Sequence, residues 1–322
     1  MPNPPLAIEA NEASTAHFPQ SALAHRGRLL ELAGGLPLNT LLWLLIGGLF
    51  ALDTIWAARV GLSVGGWKIM AAAMATLLAL AALYRHRKRA VADMASVAAM
   101  WISLSATGCV LTYLGATCAL PLQDALLTGF DQSLGFDWLT WREAVAVRPW
   151  LNLALSWAYA SLLPQILLGS LLLPALGMTK RSVELIFLAA FTLLPTTLIS
   201  ALWPALGPFA VFGGERSEYL PHVLALRIPG PWHFDLPTMQ GILTMPSYHA
   251  VLALLFVYAF RHIGLLSWLI AVVNGVMLLS IAPVGGHYLS DIIVGIAIAV
   301  LCIAGLRGAA TLSGADSKQS AI

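Results

Sequence analysis

Two short polar stretches stand at the edges of long apolar runs and carry the residues best suited to chemistry. The first, residues 245–249, reads Met-Pro-Ser-Tyr-His, and the second, residues 285–291, reads Gly-Gly-His-Tyr-Leu-Ser-Asp. His287 follows His249 by 38 residues, close to the length of two helical membrane crossings of about 20 residues each. A chain that crosses the membrane and returns between them therefore brings both histidines to one membrane surface.

The residue types in these stretches suit nucleophilic attack and proton transfer. His287 and Asp291 are four residues apart and share one face of a helix, so the carboxylate can accept the Nδ1–H of the imidazole. That contact fixes the tautomer and leaves Nε2 as a nucleophile. His249, one turn into the other helix, is placed to protonate a leaving group. The Ser247 hydroxyl, with nearby backbone N–H groups, is predicted to hold phosphate oxygens.

The composition predicts an all-α, polytopic membrane helix bundle. Hydrophobic residues make up 59% of the chain and charged residues 10%, whereas soluble domains carry about a quarter charged residues. Eight apolar runs have about the length of a membrane-spanning helix. They lie near residues 38–58, 66–84, 95–120, 152–174, 183–205, 247–262, 264–284 and 288–306.

The distribution of Lys and Arg predicts the orientation of these spans. Eleven of the 17 Lys and Arg fall in one alternate set of connections, and the other set holds six, diluted by acidic residues. The positive-inside rule places the first set in the cytoplasm. Both termini are then cytoplasmic and both histidines extracytoplasmic, and the Ala- and Leu-rich spans suggest a bacterial inner membrane. Nothing in the sequence pairs basic clusters with aromatic residues, so no nucleic-acid partner is predicted.

Four segments lie outside the predicted spans. Residues 1–35 form a polar cytoplasmic N-terminal segment, and residues 307–322 form a short polar tail. Residues 122–150 contain three Trp residues and predict a pair of helices along the membrane surface, with a solvated loop as the alternative. Residues 206–245 are rich in Pro and Gly and predict a turn-rich loop that lines the site.

The two histidine stretches together resemble the type 2 phosphatidic acid phosphatase superfamily. The matching residues are Pro246-Ser247-x-His249 and, two spans later, Ser280 followed after six residues by His287-x-x-x-Asp291. The resemblance implies a six-helix catalytic core at residues 91–306, preceded by two additional spans at 36–90. It also implies a phosphohistidine at His287, orientation by Asp291, protonation of the leaving oxygen by His249, a lipid phosphate or phospholipid substrate, and no cofactor. Water or an alcohol takes the phosphoryl group, so hydrolysis and transfer both stay open.

The chain departs from that family's pattern in its cations. Ile281 stands where the family usually has an arginine, and the family's lysine-containing first motif is absent before His249. In this respect the chain resembles the inositol phosphorylceramide synthase (inositolphosphotransferase) branch, which transfers a phosphoryl-alcohol headgroup to a lipid. Phosphoryl transfer needs positive charge around the phosphate oxygens, and Arg216 and Arg227 of the turn-rich loop are the predicted replacements, with Arg148 behind them.

Two other functions are compatible with the same residues. His249, His287 and Asp291 have the donor types of a facial metal triad, which would make this a metal-dependent membrane enzyme, whereas the phosphohistidine interpretation involves no metal. Alternatively, the chain is a transporter or scaffold without catalytic activity, although no internal repeat typical of transporters is visible.

Overall fold

The computed structural model describes residues 31–32, 36–213 and 218–319, and this part of the chain is almost entirely helical. Its few strands form two short pairs, β1 (Glu31–Leu32) with β2 (Leu36–Pro37), antiparallel, and β3 (Leu62–Gly65) with β4 (Trp232–Asp235), parallel. The helices are α1 (Leu38–Val60), α2 (Trp67–Tyr84), α3 (Arg89–Ala116), α4 (Asp124–Ser133), α5 (Trp138–Ala146), α6 (Pro149–Ala160), α7 (Leu162–Ala175), α8 (Thr179–Leu202), α9 (Pro208–Phe212), α10 (Leu220–Leu226), α11 (Tyr248–Ala259), α12 (Leu265–Gly285) and α13 (Leu289–Gln319).

The prediction of an all-α polytopic membrane bundle is confirmed, and each of the eight apolar runs is helical. Within the described ranges, six helices (α1, α2, α3, α8, α12 and α13) are long and apolar enough to cross a membrane. The fourth run forms two helices, α6 and α7, which meet at a bend of 43° and together have the length of a seventh span. The sixth run forms α11, which is apolar but only 12 residues long.

The bend between α6 and α7 has a local cause. α6 ends at Ala160, and Pro164 occupies the third position of α7. A proline there lacks the N–H that would otherwise bond back into α6, and its ring fits only the first turn of a helix. The run therefore breaks into two helices, which leaves Tyr159 in the last turn of α6, next to the bend.

The short helix α11 lies at the centre of the bundle, packed against α7, α8, α12 and α13. Its apolar residues, such as Val251, Leu255 and Phe256, are fully buried in the largest hydrophobic cluster. By contrast, α1 packs on α3 and α8, and α2 packs on α3 without burying any of its own residues. A helix with apolar side chains on its free face is suited to contact with lipid.

The two outer segments differ in structure. The prediction of a helix pair within residues 122–150 is confirmed by α4 and α5, and the Asp137 side chain caps α5 by accepting the backbone N–H of Thr140 at 2.6 Å. That hydrogen bond holds the pKa of the Asp137 carboxyl below its usual range. Residues 206–245 contain α9, α10, β4 and a short 3-10 helix, joined by turns.

Candidate active site

His287 lies in the short connection between α12 and α13, not inside a helix. α12 ends at Gly285, and Gly286 reverses the chain with a left-handed φ of 69°. A side chain at residue 286 would also collide with the ring of Phe209, because a Cβ there would stand 2.2 Å from it. Glycine is therefore required on two counts at the residue that directly precedes His287.

The His287 ring is fixed through its Nδ1 atom. Nδ1 lies 2.8 Å from the carbonyl oxygen of Thr244 and 3.2 Å from Oδ2 of Asp291. Both neighbours are acceptors, so Nδ1 must carry the proton that they share. The neutral imidazole then has its lone pair on Nε2. His287 is 6% exposed and Asp291 is fully buried, so this arrangement is shielded from bulk water.

The N-terminus of α13 is capped by two carboxylates from different parts of the chain. Asp131 of α4 accepts the backbone N–H groups of Leu289 at 2.6 Å and Ser290 at 2.9 Å. Asp291 accepts the N–H of Tyr288 at 2.9 Å. A helix N-terminus attracts anions through its unpaired N–H groups and its dipole. Here the protein's own carboxylates occupy those groups, and they hold the backbone that carries His287.

Asp124, the first residue of α4, ties the turn-rich loop to the same connection. Its carboxylate accepts the N–H groups of Leu206 and Gly207, at 3.1 and 2.9 Å, and the hydroxyl of Tyr288 at 3.0 Å. The Asp124 carboxylate thus fixes the start of the loop that follows α8 beside His287. Burial raises the pKa of the Tyr288 hydroxyl, which is consistent with its role as a hydrogen-bond donor.

His249, in the first turn of α11, stacks on an aromatic ring. The rings of His249 and Tyr159 have centroids 4.2 Å apart and are nearly parallel, with an angle of 15°. Tyr159 also lies directly over Gly285, where a Cβ would stand 2.7 Å from its ring and 2.9 Å from its hydroxyl oxygen. Tyr159 therefore bridges the two predicted catalytic stretches.

A cavity of about 450 Å³ has both histidines in its wall. Leu104 and Gly108 of α3 and Ile166 of α7 line its apolar sides, and Thr244 and Tyr219 of the turn-rich loop contribute polar groups. Among the described residues that line this cavity there is no Lys, Arg, Asp or Glu. Its volume and mainly apolar wall are typical of ligand-binding cavities.

The predicted catalytic residues thus lie together, but the predicted binding residues do not join them. Ser247 is fully buried, its N–H donates to the carbonyl of Asp291, and its hydroxyl neither lines the cavity nor has a described partner. Arg227 donates to the carbonyl of Leu120 at 2.8 Å, away from the cavity wall. Arg216 lies outside the described residues. The substrate-binding roles of these three residues stay predictions.

The metal alternative finds no matching group of ligands in the structure. Over residues 36–213 and 218–319, no three side chains of His, Cys, Asp or Glu are close enough together to hold a metal ion. His287 and Asp291 are in contact through Nδ1, as described above. Nδ1 of His287 and the carboxylate of Asp291 thus bind each other in the structure.

Sequence reasoning missed Asp124, Asp131 and Tyr159 as residues of the site. The two aspartates are seven residues apart, which places them on one face of α4 two turns apart. That spacing, in an otherwise apolar segment, was the signal that could have identified them. Tyr159 carries no such signal, because it is one aromatic residue within an apolar run.

A model of the PAP2 superfamily matches residues 125–305, more than half of the chain. The matched region begins in α4 and ends in α13, so it includes both histidine stretches, Asp131 and Tyr159. No curated protein and no solved structure matches the chain.

Proposed function

Because this chain belongs to the PAP2 superfamily, we propose that it is a membrane enzyme that removes or transfers the phosphoryl group of a lipid through a phosphohistidine at His287. The single observation that carries the proposal is the state of the His287 ring. Its Nδ1 is held by the Thr244 carbonyl and by Asp291, in the wall of a cavity that it shares with His249. An imidazole held in this way presents Nε2 as a nucleophile.

The reaction has two steps. Nε2 of His287 attacks phosphorus, the bond from phosphorus to the leaving oxygen breaks, and His249 gives that oxygen a proton. The phosphohistidine then reacts with water or an alcohol, His249 takes the proton of the incoming hydroxyl, and the bond from nitrogen to phosphorus breaks. Asp291 and the Thr244 carbonyl stabilise the positive charge that develops on the His287 ring during attack.

The lining of the cavity supports a lipid substrate. Its apolar wall, formed in part by Leu104, Leu163 and Ile166, suits the hydrocarbon next to a headgroup. Leu163 is 70% exposed on the outer surface of the bundle, so the cavity wall continues onto a surface that faces lipid in a membrane. The hydrocarbon chain of a lipid can therefore remain in the bilayer while the phosphate of the same lipid reaches the histidines.

The absence of cations from the described cavity wall favours transfer of a phosphoryl-alcohol headgroup over hydrolysis of a phosphomonoester. A phosphomonoester carries about two negative charges near neutral pH, and burying them without a cation is costly. A phosphodiester headgroup carries only one, so its burial against this wall costs less. Headgroup transfer agrees with the resemblance to the inositolphosphotransferase branch. The distribution of Lys and Arg among the connections between the spans supports an extracytoplasmic site.

The proposal is tested by turnover and by trapping the intermediate. Purified protein in detergent is incubated with phosphatidic acid, a polyprenyl phosphate and phosphodiester lipids, with and without alcohol acceptors, and both phosphate and new lipid are measured. His287→Ala should lose at least about 10³-fold in kcat, and His249→Ala about 10²- to 10⁴-fold. Wild-type protein with radiolabelled substrate should form an acid-labile, base-stable phosphoprotein that His287→Ala lacks.

The matched control is His86→Ala, an exposed histidine at the turn between α2 and α3, which should leave turnover unchanged. Full activity in the His287→Ala protein would overturn the proposal. Activity that disappears in chelator and returns with zinc or iron would instead support the metal-dependent alternative, and solute flux in liposomes without turnover of any lipid would support a transporter.

A further inference from the structure

The described wall of the cavity holds no cation, although a phosphoryl group must be bound there if the proposed function is right. Arg142 and Arg148, in and just after α5, do not line the cavity either. The guanidinium of Arg142 lies over the Phe209 ring, 5.7 Å from its centroid, and Arg148 donates to the carbonyl of Ala144 at 2.7 Å. Within the described wall, hydrogen bonds to the phosphoryl oxygens must therefore come from neutral groups.

Three tyrosines line the cavity, and two of their hydroxyls already serve the protein. Tyr248 donates to the carbonyl of Ala189 at 2.7 Å, and Tyr219 donates to the carbonyl of Leu206 at 3.0 Å. For the hydroxyl of Tyr159, in contrast, the described part of the chain offers no hydrogen-bond partner. Tyr159 is half-buried and lines the cavity, so its hydroxyl is available to a ligand bound there.

The position of Tyr159 relates its hydroxyl to both histidines. Its ring lies flat on His249, while its hydroxyl reaches over Gly285, two residues before His287. Any side chain at residue 285 would displace the ring, since a Cβ would come within 2.7 Å of it. The absence of a side chain at Gly285 thus leaves room for the Tyr159 ring and hydroxyl between His249 and the segment that leads to His287.

We propose that the Tyr159 hydroxyl donates a hydrogen bond to a non-bridging oxygen of the phosphoryl group as it moves to His287, at a cavity wall whose described residues include no cation. This inference rests on the proposed function and adds a catalytic residue to it. The Tyr159 hydroxyl stabilises the negative charge on the non-bridging oxygens, and it does so as a donor that is already in position. The stacked ring holds that donor in position, and it also holds the His249 imidazole against the leaving oxygen.

The test removes the hydroxyl and keeps the ring, as Tyr159→Phe. Loss of one hydrogen bond to a charged oxygen should lower kcat about 10- to 100-fold. Thermal stability in detergent should not change, because no described group loses a partner. The matched control is Tyr84→Phe, at the end of α2 away from the cavity, which should change neither quantity.

A second measurement separates contact with the phosphate from a structural role. Phosphorothioate lipid, in which sulfur replaces one non-bridging oxygen, is compared as its two diastereomers. One diastereomer should slow the wild-type enzyme about 10-fold or more relative to the other. Tyr159→Phe should turn over both at similar rates, since the contact that distinguishes them has been removed.

Two negative outcomes are distinguishable. If wild-type protein turns over a phospholipid and Tyr159→Phe keeps full kcat with an unchanged preference between diastereomers, the role of Tyr159 is refuted and the proposed function stands. If wild-type protein turns over no lipid phosphate in the panel, the proposed function fails and this inference fails with it.

Discussion

Removal of the Asp131 carboxylate tests whether the capped start of α13 positions His287. Asp131 is 2% exposed and accepts two backbone N–H groups, those of Leu289 and Ser290. Each hydrogen bond to a charged acceptor contributes about 1.5–3 kcal/mol. Asp131→Ala leaves both donors buried without a partner, so we expect a loss of about 3–6 kcal/mol in the free energy of unfolding. Asp131→Asn keeps one neutral acceptor and should lose about half as much.

The same change should slow catalysis, because His287 is only two residues before Leu289. A displacement of about 1 Å at a reacting group can cost about 100-fold in rate. We therefore expect kcat of Asp131→Asn to fall about 10- to 100-fold, with KM changed less. The free energy of unfolding is measured by denaturant titration in mixed micelles, and kcat with the lipid substrate identified from the panel.

The matched control is Gln132→Ala, the exposed neighbour of Asp131 on α4. It should leave both the free energy of unfolding and kcat unchanged. If Asp131→Ala behaves like Gln132→Ala in both measurements, the carboxylate does not hold the start of α13, and the reasoning from the two hydrogen bonds is wrong.

Further predictions concern the supports of the site. Asp124→Asn should raise KM several-fold, because the amide cannot hold both backbone N–H groups and the tyrosine hydroxyl; unchanged kinetics would contradict that tether. Gly286→Ala should yield little folded protein in a size-exclusion assay, because the residue has a left-handed φ and its Cβ would overlap a ring of α9. Gly275→Ala, inside α12 with open space around it, should stabilise the helix by up to about 1 kcal/mol. Glu184→Gln should lower the free energy of unfolding by about 1–3 kcal/mol without changing kcat, because the part-buried Arg261 loses its carboxylate 3.6 Å away.

The sequence determined where the two histidine stretches lie because their geometry depends on short or regular spacings. A separation of four positions brings His287 and Asp291 close together near the start of a helix. Two apolar runs between His249 and His287 return the chain to the same end of the bundle. Hydrophobic length similarly predicted all eight helical runs, since a membrane-spanning segment must satisfy its backbone groups internally.

Only the tertiary structure decided what holds and surrounds those residues. The Thr244 carbonyl shares the Nδ1 proton of His287, and Asp131 caps a helix that begins 158 residues later in the chain. Tyr159 reaches His249 because a bend ends α6 beside α11. Such contacts depend on which faces of apolar helices pack together. In these helices most faces are equally hydrophobic, so periodicity in the sequence does not specify the pairing.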